Sequence, residues 1–215
     1  MTFQNLLLAA LPLSGDAPVR SLLQSERDAS PNGITTFVRG EALTFPYRLY
    51  CLPDRLHAIV SGSTSNARPL ALCLGTRHHD GRVREACLRQ LGAIDQPWAI
   101  PFLIQLLGEY VAEIVELAAQ TIAYMSPAEL AAFVAANPGF MSTTRSRAIS
   151  YWNCYHRGRW SAAAAYPAVA ALDAIERVAT GEVNPGYPPL TPEQHRLIAA
   201  GEPPSRGKEL DTLLR

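Results

Sequence analysis

The chain has 215 residues, 48% of them hydrophobic, with 19 basic side chains balanced by 19 acidic ones. That is enough apolar material for a buried core in one domain, and the neutral balance excludes a global field drawing the protein to nucleic acid or an anionic membrane. The balance is uneven: residues 69–129 carry four Arg and seven acids, whereas residues 130–172 carry four Arg and no acid. Nearly every cation is Arg, Lys208 being the one lysine, and Ala is abundant, a usage that fits a GC-rich bacterial genome. Cys51, Cys73, Cys87 and Cys154 match no zinc or redox spacing and are expected as buried thiols. No apolar run reaches the ~20 residues of a membrane span, and the apolar run 6–13 lacks a preceding Lys or Arg. The expectation is a cytoplasmic protein with no membrane partner and no cofactor.

Taken in order, residues 3–11 predict a short apolar helix, and residues 17–27 a second one with Pro18 in its first turn. After the turn Ser30-Pro31-Asn32-Gly33, the β-branched and aromatic residues 34–38 and then Leu43-Thr44-Phe45 beyond Arg39-Gly40 predict a small hairpin over 34–45. Residues 47–59 read as a helix interrupted by Pro53. The polar string 61–66 reads as a linker, with the secondary option of an anion cradle built from its amides. Together residues 1–66 form an N-terminal cap.

Residues 67–181 form the helical body, and its first part nearly repeats itself. Leu91 falls on Ile122, Cys87 on Ala118, Ala86 on Leu117 and Val83 on Ile114, at a constant offset of 31 residues. Such a period marks stacked supersecondary units that bury their apolar faces on one another. In the predicted helix 110–125, Val111, Ile114, Ala118, Ile122 and Met125 share one face, and Glu109, Glu113, Glu116 and Gln120 the opposite one. One unit earlier, Val83, Cys87, Leu91 and Ile94 make the core stripe, with Arg82, Glu85 and Arg89 on the water side. Asp80 is placed to cap that helix.

Asp80-Gly-Arg-Val-Arg84 with Ala86, Leu88, Leu91 and Gly92 resembles the second helix of a HEAT repeat. Pro101, Leu103, Ile104 and Leu107 resemble the first helix of the following unit. The resemblance covers about residues 69–157. It implies an all-α, armadillo-type α-solenoid, a short α–α superhelix whose second helices line a concave binding surface. It also implies that Arg84 ties adjacent repeats together. Val115 stands where that arginine would recur.

A third unit follows, with residues 127–136 and 143–155 as its helices, Asn137-Pro-Gly139 as the turn, and Ala148 and Trp152 in its core. A last helix with Pro167 near its start closes at Thr180-Gly181. Residues 182–215 make a Pro/Gly-rich tail with short helices at 192–200 and 209–214.

Chemistry is sparse. His78-His79-Asp80 tempts as a metal site, but three adjacent residues at a helix entry do not easily converge on one ion. There is no phosphate loop, nucleophile elbow or H-E-x-x-H motif. The leading reading is a non-catalytic protein-interaction scaffold, of immunity or adaptor type, gripping one partner through Arg82, Glu85, Arg89, Glu113, Glu116 and Gln120. Against it stands the reading of the same stripe as a solvated face, in which Arg82 and Arg89 merely pair with Glu113 and Glu116 across the repeat boundary. The alternative is a nucleic-acid-binding or DNA-repair module of HEAT type. It would use Arg145, Arg147, Tyr151, His156, Arg157 and Arg159 with Trp152, Tyr155 and Trp160, where cations lie beside aromatics suited to bases and phosphates.

Overall fold

The computed structural model describes Val19, Leu22 and residues 33–181 apart from 65 and 95. The helices expected at 3–11, 192–200 and 209–214 lie outside the described residues, as does most of that expected at 17–27. Val19 and Leu22 are helical and buried.

The hairpin forms from β1 (Gly33–Val38) and β2 (Glu41–Pro46), paired antiparallel with Ile34 opposite Phe45 and Val38 opposite Glu41. Its two-residue turn has positive φ at both centres, 50° at Arg39 and 83° at Gly40, the geometry that matches strand twist in a tight hairpin. A two-stranded sheet is marginal alone. This one is packed: Phe45 meets Phe102 with ring centroids 4.4 Å apart, and Asn137 grips β1 through both backbone groups of Phe37, each at 2.7 Å. Asn137 is thus a docking residue as well as the junction between two helices.

Among the described residues eight α-helices follow: α1 (Pro53–Gly62), α2 (Arg68–Gly75), α3 (Gly81–Leu91), α4 (Ile100–Leu107), α5 (Ala112–Ile122), α6 (Pro127–Ala136), α7 (Pro138–Tyr151) and α8 (Pro167–Thr180). Residues 47–52 are not helical. Leu52, before Pro53, is extended, as the clash with a following proline ring requires, and Pro53 opens α1 instead of interrupting a helix. Leu49 bridges to His78, its N–H bonding Arg77 O at 2.9 Å while its own carbonyl accepts from His79 N at 2.8 Å.

α2 packs on α3, α4 on α5, and α3 lies beside α5. A Cβ at Gly75 would overlap the Cys87 sulfur, so α2 and α3 meet at a distance only glycine allows. All eight residues of α4 are buried, as expected of a helix apolar all round. Cys87, Leu91, Ile114, Ala118 and Ile122 are buried, and Val83 is packed against the same core. Cys51, Cys73 and Cys87 are buried thiols, but Cys154 is exposed.

The third unit departs from a simple helix pair. α6 packs on α8 and β1 more than on α7, and α7 ends in a π-helical turn, Trp152–His156. α8 closes at Gly181 with φ 73°, the left-handed cap that glycine supplies. No helix among the described residues is long and apolar enough to cross a membrane.

Candidate interaction surface and a buried arginine cluster

Asp80 caps α3, accepting from Arg82 N at 2.8 Å. His78 does structural work here: its Nδ1 accepts from Asp80 N at 3.0 Å, so its Nε2 donates to Cys51 O at 2.8 Å. Burial lowers its pKa and keeps the ring neutral. Among the described residues no three His, Cys, Asp or Glu side chains converge as metal ligands. The loop after α1 is tied by Ser63 Oγ to Ile59 O at 2.7 Å.

The charged stripe lies on α3 and α5, but its pairing differs from expectation. Arg89 bonds Glu85 four residues back on its own helix at 2.7 Å, because that partner is on the same face one turn away. Glu116 pairs with Arg159 at 2.6 Å. Arg82, Glu113 and Gln120 are exposed. His156 Nε2 lies 2.9 Å from Tyr110 O, and Tyr110 lies two residues before α5. The two surfaces read separately from sequence are therefore contiguous, joined at Glu116–Arg159 and at Tyr110–His156.

The basic stretch is less free than its composition implies. Arg145 reaches Asp173 and Glu176 on α8, both at 2.8 Å. Arg157 lies over Trp152 and donates to Asn153, and Arg147 lies over Tyr47 with its carbon 5.3 Å from the ring centroid. The π turn carries an aromatic clasp: Trp152 Nε1 donates to Trp160 O at 2.8 Å, and His156 stacks on Tyr166 at 5.3 Å. Trp152 is half-buried, whereas Ala148 is fully buried. On the open side Tyr151 bridges Tyr110 and Tyr155, with centroids 6.2 Å from each. Tyr110 is 56% and Tyr155 69% exposed.

Glu109 is the main correction. Helical projection placed it on the water stripe with Glu113, yet it is 3% exposed. It lies in the turn before α5 begins, so its side chain does not follow that helix's rotation. Arg48 closes on it with two bonds, 2.8 Å to Oε1 and 3.0 Å to Oε2, a bidentate geometry guanidinium favours. Arg77 approaches Oε1 at 3.8 Å and Arg84 approaches Oε2 at 3.6 Å. Arg84 also donates to the carbonyls of His78 and His79 at 2.9 Å each. It thus joins the entry of α3 to the turn before α5.

Sequence reasoning did not single out Arg48 or Arg77. Arg77 is fully buried at the end of the apolar run 70–76, donating to Tyr47 O at 2.7 Å. Burial pushes its pKa down from 12.5 to about 9 despite Glu109. For Arg48 burial also pulls downward, but bonds to Glu109 outweigh it and hold the pKa above the ordinary value. An arginine that ends an apolar run was the available signal for Arg77.

In comparisons with protein-family models, curated proteins and solved structures, the chain matches none.

Proposed function

We propose that this protein is a non-catalytic helical scaffold that binds another protein. The binding face runs from Arg82, Glu85, Arg89, Glu113, Glu116 and Gln120 across the Glu116–Arg159 pair to Tyr110, Tyr151 and Tyr155. The observation that carries this reading is the exposed tyrosine cluster beside Arg157 and Arg159. Tyr, Trp and Arg dominate the energetic centres of protein interfaces, and Tyr110 and Tyr155 leave large ring area in water at the edge of a charged rim. The pairs α2/α3 and α4/α5, with α3 beside α5, support a short α-superhelix of HEAT type as the frame. Free buried thiols at Cys51, Cys73 and Cys87 support a reducing, cytoplasmic setting. The commitment of Arg145 to Asp173 and Glu176, and of Arg159 to Glu116, counts against the nucleic-acid alternative.

The test is affinity capture from the source organism followed by titration with the purified partner. The double variant Tyr110→Ala, Tyr155→Ala is expected to remain folded and to weaken binding at least ~100-fold, since each centre residue contributes ~2 kcal/mol or more. Unchanged affinity in a folded double variant would remove this face from consideration.

A further inference from the structure

The cluster at Glu109 holds more positive charge than its carboxylate can balance. Arg48, Arg77 and Arg84 all approach Glu109. Arg147 joins them from α7: it packs against Gly108, the residue before Glu109, where a Cβ would lie 3.5 Å from the arginine's own Cβ. Three guanidinium groups thus share one carboxylate whose two oxygens are already engaged, and Arg147 lies alongside with its guanidinium over Tyr47.

Arg77 has no exposed surface; its Nε makes no hydrogen bond among the described residues, its Nη1 has only the 3.8 Å approach to Glu109 Oε1, and Arg84 Nε makes no hydrogen bond either. Buried guanidinium N–H groups without acceptors are costly, and such orphans in a folded protein call for an explanation such as a bound ion. Tyr47 marks where that ion can enter. Its half-buried ring has the guanidinium carbons of Arg48, Arg147 and Arg77 at 5.2, 5.3 and 5.9 Å from the centroid. Arg48 and Arg147 both reach solvent, while Arg77 lies beneath. Arg147 has no carboxylate partner among the described residues.

We propose that Arg48 and Arg147, gathered at Tyr47 with Arg77 behind them, form a binding site for a phosphate group, either free or as a phosphomonoester. A dianion matches a charge surplus greater than one, and planar guanidinium forks fit phosphate oxygens two at a time. Arg48 contributes the N–H capacity that its bonds to Glu109 leave over, Arg147 contributes its whole fork, and Arg77 supplies the field from below. The site adjoins the proposed protein-binding face, since Arg147 is one helical turn from Tyr151, but phosphate binding to the chain alone and partner binding by the tyrosine variants are separate measurements, so either reading can fail without the other.

The full chain is titrated with inorganic phosphate, phenyl phosphate and acetate at ionic strength held constant with sodium chloride, and thermal midpoint and heat of binding are read together. Saturable stabilisation by phosphate, with acetate at least tenfold weaker, is the expected result. Phenyl phosphate binding tenfold tighter than inorganic phosphate assigns the group to a phosphomonoester, and equal binding assigns it to the free ion; both support the site. Arg147→Gln should weaken phosphate at least tenfold while shifting the unliganded midpoint little. In the wild-type chain the arginine Nε–H resonances of Arg48 and Arg77 should move with phosphate and stay in place with acetate. Stabilisation no greater than sodium chloride gives, equal binding of acetate, or undiminished phosphate binding in Arg147→Gln would each overturn the proposal.

Discussion

Two groups of arginines divide this molecule, and their surroundings invert the charge balance of the segments they come from. Residues 130–172 contain no acid, yet Arg145 and Arg159 from that stretch are neutralised in space by Asp173, Glu176 and Glu116. Residues 69–129 are rich in acids, yet Arg77 and Arg84 from that stretch share a single carboxylate, Glu109, with Arg48 from outside it. Charge counted along a chain measures composition, whereas the fold redistributes it among helices that are not neighbours in sequence. The paired arginines hold helices together at the surface. The crowded ones leave unmet N–H capacity inside, and it is there that a ligand has most to gain.

The comparison predicts its largest effect at Glu109. Removing the one carboxylate leaves three buried or half-buried guanidiniums unbalanced, and breaking a buried ion pair from one side costs ~3–5 kcal/mol. Glu109→Gln should lower unfolding stability by that much in urea titration. A loss below ~1 kcal/mol would mean the cluster is hydrated and the contrast with the surface arginines is false. Asn137→Ala should follow at ~1–3 kcal/mol, from the loss of two part-buried hydrogen bonds at ~0.5–1.5 kcal/mol each, since Phe37 N and O both lose their partner. Should that variant match the wild type in stability, the hairpin does not depend on this clamp.

Acid should erode the same buried region. The pKa of His78 lies below its ordinary 6.5 in the folded chain, through burial first and the neighbouring His79 after it. The unfolded chain therefore takes up the proton first: the contribution to stability is complete above pH 6.5 and is lost as pH falls through the depressed folded value. Protonation would also add a cation beside Arg84, which bonds the His78 carbonyl. Stability measured from pH 7 downward should fall more steeply in the wild type than in His78→Gln. Parallel curves would show that His78 does not carry the effect.

Local patterns made much of the fold legible. Alternating β-branched residues around Arg39-Gly40 gave a hairpin, Pro127 and Pro167 sit in the opening turns of their helices, Gly181 ends the last, and Asp80 caps α3. What failed was extrapolation past an element's end. Glu109 was read on the wheel of α5, which begins three residues later, and 47–52 was read as helix although the residue before Pro53 is forced to extend. The Arg48–Glu109 contact spans 61 residues, and no local periodicity encodes such a pairing. The surface stripe was visible because exposure follows helical phase. Its junction with the tyrosines was not, since it depends on the π turn bringing His156 to Tyr110.

The smallest effect is expected at the surface pair, and it can be separated from a buried consequence. Glu116 and Arg159 are 33% and 55% exposed in their side chains, and exposed pairs contribute ~0–1 kcal/mol, so Glu116→Gln should change stability by no more than that. Yet Glu116 also acts on Tyr166, whose phenol is raised to about 12 by burial first and by the Glu116 charge second. Because the folded phenol resists ionisation, its contribution to stability is intact below the ordinary value of 10 and is lost as pH rises from there through about 12. In Glu116→Gln the Tyr166 phenolate, isolated by difference absorbance against Tyr166→Phe, should appear at lower pH than in the wild type but still above 10. Burial, the larger cause, survives the substitution. Tyr166→Phe itself should fold normally, since the buried hydroxyl it removes has no hydrogen-bond partner among the described residues. A phenol titrating near 10 in the wild type would show that water reaches this ring, and that the aromatic clasp on the π turn does not seal α7 against α8.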